Sequence, residues 1–308
     1  MKLRIFFSAV VSLSLLFGYQ PEVKSFVNQE VIESLLSHEA IRGLRDYVLP
    51  GQQLRQREHR PGTVGEDASL TLYSALQRNG SFDACVDQFP RERALDIGRM
   101  PPAMKPMALC SDNFAVLYSK TAKAPLVVVE RLTAAQLRDA KGEVRTDQFY
   151  PDPRLPEGGR AELSDYRGRT PAVDRGHLAP AADAPNQRAM VQSFALSNII
   201  PQSPESNRKS WSDVEKATRK FVQRAKGNVF VFTGPLFDKG HRKIGKNKVW
   251  VPTRLFKLVY DERSGRAWAY ILPNGASRVK KPVDYATFVR ETDLRLLDGL
   301  RITGSVSR

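Results

Sequence analysis

Cysteine and histidine are scarce in this 308-residue chain. It contains two cysteines and four histidines, and they are scattered rather than clustered. No zinc cluster with the usual Cys/His spacing can be assembled from them, which argues against a zinc-dependent catalytic site. A Gly-x-Ser-x-Gly elbow is also absent, and its absence disfavours a serine hydrolase. The histidines are His38, His59, His177 and His241.

The two cysteines, Cys85 and Cys110, are the only pair that the chain offers. In an exported protein they would form one disulfide, since oxidising compartments favour such bonds. That bond would close a loop of about 25 residues and contribute about 3 kcal/mol through chain entropy. Two buried free thiols are the alternative.

Only one long apolar run is present, and it lies at the N-terminus. Met1–Arg4 carries two basic residues and is followed by an uncharged run over residues 5–19. Its length of about 15 residues is short for a membrane span and typical of a signal peptide. We therefore expect residues 1–20 to direct export, to the periplasm or out of the cell. Small residues are poorly spaced for cleavage around residues 17–20, so an uncleaved membrane anchor over residues 5–19 is the alternative.

The charge balance is strongly basic. The formal net charge is +15 and the sequence pI is near 9.9. Such an excess favours an anionic polymer as partner, because neutralising phosphates releases counterions. Residues 240–246 imitate a phosphate-binding P-loop, but Asn247 replaces the Ser/Thr and no helix pattern follows. We expect a basic loop near a substrate groove there, not a nucleotide site.

Strand-like segments dominate the second half of the chain. A hairpin over residues 114–119 and 126–130 is expected to feed a central sheet, which the later segments complete. The sequence therefore predicts an α+β fold with a mixed, mainly antiparallel central sheet flanked by helices. The later strand-like segments are residues 228–233, 248–251, 255–260 and 266–272.

Helices are fewer. Residues 206–225 place apolar side chains on one stripe at helical spacing, which predicts an amphipathic helix. One helical turn is expected over residues 133–139, a helical or extended passage over 186–194, and a closing helix over 283–297. Prolines and glycines without a sustained period predict that residues 82–110 and 148–173 are mostly loop.

Three parts are expected along the chain. After the N-terminal segment 1–20, the polar region 21–80 has apolar residues at helical spacing between Val27 and Ile41, followed by a flexible link. Residues 81–308 are long enough for one domain with its own core.

One 45-residue window, residues 171–215, holds the side chains that metal-assisted phosphodiester hydrolysis needs. That reaction requires a base for the attacking water, a cation on the leaving oxygen and positive donors on the phosphoryl oxygens. His177 can act as the base, because a neutral imidazole accepts a proton near neutral pH. Asn207 offers an oxygen to magnesium, which keeps most of its waters. Glu215 lies about two turns further along the same helix and can reach a metal-bound water.

These residues form a spaced motif set. Asp174-Arg175-Gly176-His177 is followed by Ser197-Asn198-Ile199-Ile200-Pro201-Gln202, and then by Asn207, Trp211 and Glu215 at four-residue intervals. The set resembles that of the DNA/RNA non-specific endonucleases, a family of ββα-metal nucleases, and the resemblance covers roughly residues 82–302. It implies a ββα-metal active-site motif within an endonuclease domain over residues 81–308.

The resemblance implies a role for each motif residue. His177 would be the general base and Asn207 the single direct magnesium ligand, with manganese as an alternative metal. Arg175, Asn198 and Glu215 would help to position phosphate, base and metal waters, and Asp174 would be structural. Arg145 matches the family's arginine that contacts the scissile phosphate, although Arg154, Arg160, Arg167 and Arg169 in the following loop are alternatives.

We therefore expect a metal-dependent endonuclease with little sequence preference, acting on DNA and RNA and leaving 5′-phosphate ends. The alternatives are a nucleic-acid-binding protein without catalysis and a hydrolase of another phosphodiester. The oligomeric state is open, and a homodimer is one alternative. A membrane is a partner only if the N-terminal segment is not cleaved.

Overall fold

The computed structural model describes residues 72–304, and β-strands build its centre. The strands are rich in β-branched and aromatic residues, which pack well on a pleated surface. In chain order they are β1 (Pro106–Cys110), β2 (Ala115–Ser119), β3 (Ala124–Leu132), β4 (Asp174–His177), β5 (Ile199–Gln202), β6 (Val229–Leu236), β7 (Lys243–Ile244), β8 (Val249–Trp250), β9 (Arg254–Asp261), β10 (Arg266–Pro273) and β11 (Val283–Asp284).

Seven of these strands form one antiparallel sheet in the order β1-β2-β3-β6-β9-β10-β11. The middle strands are buried on both faces, because β6 and β9 alternate apolar side chains between two separate cores. Phe230 and Phe232 of β6 enter one core, whereas Val229 and Val231 enter the other. The remaining strands pair as β4 with β5 and β7 with β8.

The helices cover both faces of the sheet. Phe288 of the C-terminal helix packs with the first core, while Trp211 and Val214 pack against the opposite face. Side-chain caps fix three helix starts: Thr133, Asn186 and Asp284 each accept a hydrogen bond from a first-turn backbone N–H. The helices are α1 (Ala134–Asp139), α2 (Gln187–Ser193), α3 (Ser212–Val222) and α4 (Tyr285–Thr292).

The structure confirms the α+β class and the mainly antiparallel sheet. The predicted hairpin is β2 and β3, and the predicted turn at 133–139 is α1 with its Thr133 cap. The passage over 186–194 is helical. The predicted amphipathic helix is present as α3, but a π-helical turn, Ser206–Trp211, precedes it.

Three local predictions differ from the structure. The closing helix predicted over residues 283–297 is shorter, since Val283–Asp284 forms β11, which pairs with β10, and α4 spans Tyr285–Thr292. The segment 82–110 is not all loop, since β1 forms the edge of the sheet; Pro106 stands at its first residue, where a missing N–H is tolerated. The segment 248–251 does not join the central sheet. It forms β8, which pairs with the two-residue strand β7.

Cys85 and Cys110 form a disulfide, with their Cα atoms 5.6 Å apart. The bond ties the loop before β1 to the end of that strand, and both cysteines lie in the core on the α4 face of the sheet. The predicted pairing is therefore confirmed.

Residues that precede the predicted domain boundary at residue 81 also pack against the rest of the described chain. Tyr73 is buried; its hydroxyl lies 2.9 Å from that of Tyr150, and its ring lies 3.8 Å from the guanidinium carbon of Arg154. The predicted N-terminal segment 1–20 and the helix between Val27 and Ile41 lie outside the described residues. Of the helices in the described part, none is long and apolar enough to cross a membrane.

Candidate active site

The site is built on two short strands and a helix. In the β4–β5 pair, Asp174 lies opposite Gln202 and His177 lies opposite Ile199. The chain then enters the π-helical turn that carries Asn207 and continues into α3. The predicted β–β–α arrangement is thus formed: the first strand carries Asp174 to His177, and the helical segment that follows the second strand carries Asn207.

Gly176 is required by the close approach of these two strands. A Cβ atom at this position would lie 2.0 Å from Oε1 and 2.7 Å from Cβ of Gln202. Any other residue would force β4 away from β5 and move the neighbouring His177.

His177 is buried between two aromatic rings. Its ring centroid lies 5.3 Å from that of Phe149 and 4.8 Å from that of Phe194, and its exposure is 9%. Burial, followed by the positive charges of Arg145 and Arg175, lowers the pKa of His177 to about 3. The imidazole is therefore neutral at physiological pH, which is the state that a general base needs.

Two arginines lie over the same two rings. The guanidinium carbon of Arg175 is 4.2 Å from the Phe149 centroid, and that of Arg145 is 5.0 Å from the Phe194 centroid. Both side chains are exposed, and Arg145 also pairs with Asp147 at 2.6 Å. The structure thus brings the predicted base and both predicted phosphate-binding arginines together.

Asn207 is held in one orientation by Asp174. Its Nδ2 donates to Asp174 Oδ2 at 2.9 Å, so the amide oxygen is left for another partner. Arg208 donates to both oxygens of the same carboxylate, at 2.7 and 2.8 Å. Burial alone would raise the pKa of Asp174, but the hydrogen bonds from Arg208 and Asn207 outweigh burial and lower it. Asp174, the first residue of β4, therefore holds both the amide of Asn207 and the guanidinium of Arg208.

Asn198 serves the backbone. It is fully buried, its Nδ2 donates to the carbonyls of Ala179 and Ser193 at 2.9 Å each, and its Oδ1 accepts from Ala179 N at 2.9 Å. The side chain has no donor left for a phosphate. Of the roles that the motif implies for Asn198, the geometry supports only positioning. Its side chain holds the backbone of Ala179, two residues after His177.

Glu215 lies on α3 among charges that sequence reasoning missed. Burial raises the pKa of Glu215 to about 7, against the opposing charges of Lys257 and Arg219. Arg219 forms an ion pair with Asp183 at 3.2 Å, and Lys257 Nζ donates to Thr233 Oγ1 at 2.7 Å. Glu215 therefore borders a buried charge cluster.

Glu130 completes this cluster. It is 1% exposed, and neither carboxylate oxygen has a hydrogen-bond partner among the described residues. Burial, followed by the nearby charge of Asp183, raises its pKa. A sequence signal for it existed, because Glu130 follows the apolar run Leu126–Val129 and Lys257 stands between apolar residues of β9.

A polar cleft of about 470 Å³ opens between the segment that leads into β4 and the π-helical turn Ser206–Trp211. It brings Arg175 and Asn207 to one surface, beside Asp174 and Arg208. Its lining is Phe149, Leu163, Tyr166, Arg167, Val173, Asp174, Arg175, Asn207 and Arg208.

The donor set fits a metal bound by few protein ligands. Within residues 72–304, no group of three or more His, Cys, Asp or Glu side chains could hold a metal ion. Magnesium needs no such cage, since one or two protein oxygens and several waters suffice. The oriented amide oxygen of Asn207 meets that requirement.

The family follows from a comparison with known proteins. The sequence profile of the DNA/RNA non-specific endonuclease family matches residues 98–301, and the chain belongs to this family. Human mitochondrial endonuclease G is 38% identical over 189 residues, which are 57% of this chain and 60% of the human protein. Nuclease 1 of Schizosaccharomyces pombe, also mitochondrial, is 36% identical over 181 residues, or 53% of this chain and 55% of its own length.

Nuclease C1 of Cunninghamella echinulata is 34% identical over 204 residues, which cover 61% of this chain and 79% of the fungal protein. Among solved structures, a chain in the crystal structure of the EndoG/EndoGI complex superimposes with a TM-score of 0.58 at 26% identity. That match covers 64% of this chain and 89% of the other. The chain thus spans little more than half the length of the two mitochondrial relatives.

Proposed function

We propose that this protein is a metal-dependent endonuclease that hydrolyses phosphodiester bonds of DNA and RNA with little sequence preference. One observation carries the proposal: a buried, neutral His177 lies between two rings that each hold an arginine. Membership of the nuclease family and the basic composition agree with it.

His177 takes the proton from the attacking water. The depressed pKa keeps the ring unprotonated before substrate arrives. A phosphate bound by Arg145 and Arg175 offsets their positive charges, which raises the pKa of His177 and strengthens it as a base. The His177 ring is thus unprotonated while the site is empty, and it becomes a stronger base when the phosphate is bound.

The hydroxide formed from water bonds to phosphorus, the bond from phosphorus to the 3′ oxygen breaks, and that oxygen is protonated from solvent. The products carry a 5′-phosphate and a 3′-hydroxyl. Arg145 and Arg175 stabilise the charge that develops on the phosphoryl oxygens. A magnesium ion, held by Asn207, would stabilise the leaving oxygen and order water near Glu215.

Little base readout is expected, because the side chains of the site serve phosphate, water or metal. RNA shares the same phosphodiester group and is included among the substrates for that reason.

Supercoiled-plasmid nicking tests the proposal, with magnesium, with EDTA and with His177→Ala alongside. The variant is expected to lose about 10²- to 10⁴-fold in rate. Arg145→Ala is compared with Arg138→Ala, which removes an exposed arginine from α1; only the first should slow cleavage. Salt-sensitive DNA binding without cleavage under any divalent metal would replace the proposal with a non-catalytic binding protein.

We also propose that the protein is exported. The signal-like start of the chain and the Cys85–Cys110 disulfide support an oxidising compartment. Cell fractionation with N-terminal sequencing of the mature chain tests this, and an intact residue 1 on a membrane-bound protein would instead identify an anchor.

A further inference from the structure

A basic hairpin, defined here as residues 239–250, lies outside the catalytic residues. Its cations are all exposed, and no acidic residue occurs among residues 239–248. None of them forms an ion pair with a carboxylate of the described chain. The cations are Lys239, Arg242, Lys243, Lys246 and Lys248.

The backbone of the basic hairpin is rigidly attached. Asn247 donates to both oxygens of Asp165, through its backbone N at 3.0 Å and its Nδ2 at 2.9 Å. Gly245 has a φ of +70°, and a Cβ there would lie 2.1 Å from Asp165 Oδ1. Ile244 and Val249 are buried beneath the hairpin. The cationic side chains stand on this fixed backbone, and the Lys243 ammonium lies 5.3 Å from the centroid of the Trp250 ring. Holding a ligand therefore costs little backbone entropy.

The basic hairpin is joined to the wall of the cleft. Asp165 belongs to the turn Leu163–Tyr166, and Tyr166 and Arg167 line the cleft beside Arg175. Arg242 also approaches the carbonyl of Thr170 in the loop leading to β4, at 3.5 Å. Positive charge therefore continues from the cleft through this loop to the hairpin.

We infer that the basic hairpin binds the phosphodiester backbone of the substrate outside the cleft, several nucleotides from the bond that is cut. This inference rests on the proposed nuclease function. Unpaired lysines on a fixed scaffold suit phosphates at regular spacing, because each neutralised phosphate releases counterions. The contact carries no base specificity, since lysine tips reach phosphates and not base edges.

The test removes three charges from the full-length protein by Lys243→Gln, Lys246→Gln and Lys248→Gln. The matched control removes three exposed cations, Lys226, Arg263 and Arg301, by the same change to Gln. Lys226 and Arg263 flank the start of β6 and the end of β9, whereas the hairpin lies at the opposite ends of these strands. Eight-residue strands separate the two sets by about 25 Å.

Binding is measured by fluorescence anisotropy of a labelled DNA duplex in EDTA, over a range of salt concentrations. If each lysine contacts one phosphate, the slope of log K against log salt falls in magnitude by about 2 to 3. In cleavage assays KM for long DNA should rise while kcat is unchanged. The control variant should keep the wild-type slope and KM.

An unchanged slope in the hairpin variant, or an equal loss in the control, overturns the inference. Plasmid nicking by the wild-type protein reports on the proposed function separately. If the wild type never cleaves but the hairpin variant loses its salt slope, the nuclease proposal fails and the hairpin is a binding surface. If the wild type cleaves and the slope is unaffected, the nuclease proposal stands alone.

Discussion

Replacing Asp174 with alanine tests whether this carboxylate orients the amide of Asn207, the proposed metal ligand. The side chain accepts from Asn207 Nδ2 at 2.9 Å and makes no other contact that the reaction needs. In the variant the Asn207 amide can turn its nitrogen towards the metal position. The fold should survive, because the hydrogen bonds of the Asp174 side chain go only to Asn207 and to Arg208, whose own side chain is exposed.

The size of the effect can be worked out in two ways. A hydrogen bond to a charged group contributes about 1.5 to 3 kcal/mol, which is the free energy that holds the amide in place. Losing the partner of a metal ligand weakens metal affinity by about 10- to 100-fold, equivalent to about 1.4 to 2.7 kcal/mol. The two values agree, so the magnesium concentration for half-maximal nicking should rise by one to two orders of magnitude.

The assay is a magnesium titration of plasmid nicking, with thermal unfolding of each variant as the check on the fold. Arg208→Ala is the matched control, since it removes the ion pair with Asp174 but leaves the hydrogen bond to Asn207. Its half-maximal magnesium should stay near that of the wild type. An Asp174→Ala protein with a wild-type titration curve would refute the orienting role.

Three further outcomes are expected. The pKa of His177 is lowered in the folded state, so its contribution to stability is present above pH 6.5 and is lost as the pH falls. Between pH 8 and pH 5, the free energy of unfolding of the wild type in urea should therefore fall by about 2 kcal/mol more than that of His177→Ala. Replacing both Cys85 and Cys110 with serine should cost about 3 kcal/mol, and an unchanged unfolding midpoint would contradict this. Asn198→Ala leaves three backbone groups unpaired and should cost on the order of 3 kcal/mol together with activity, whereas a stable but inactive variant would point to contact with substrate.

Local sequence patterns were sufficient for five of the seven strands of the central sheet. The segments that became β2, β3, β6, β9 and β10 are rich in β-branched and aromatic residues, which favours buried strands. The edge strand β1 was missed because its proline-rich surroundings resemble a loop. The pair β4–β5 was expected only from the family resemblance, because Asp174-Arg175-Gly176-His177 has no strand pattern and its pairing depends on a partner more than 20 residues away.

The sequence motif names the candidate site residues but not their contacts. Spacing could not show that Phe149 and Phe194 enclose the imidazole of His177. It also could not show that the amide of Asn198 is fully used by the backbone. Such facts depend on which loops meet, and residues 148–173 have no period from which their path could be calculated.

The buried charges show where sequence reasoning could have gone further. Glu130 lies within Val127–Leu132 and Lys257 within Leu255–Tyr260, and both segments are otherwise apolar apart from Arg131. An ionisable group inside a fully buried strand is costly, and replacing buried ion pairs with apolar residues is often neutral or stabilising. Core packing therefore does not explain these two residues. Both lie on the sheet face against which α3 packs, the helix that carries Glu215 and Arg219, so the cost is incurred beside the predicted site residue Glu215.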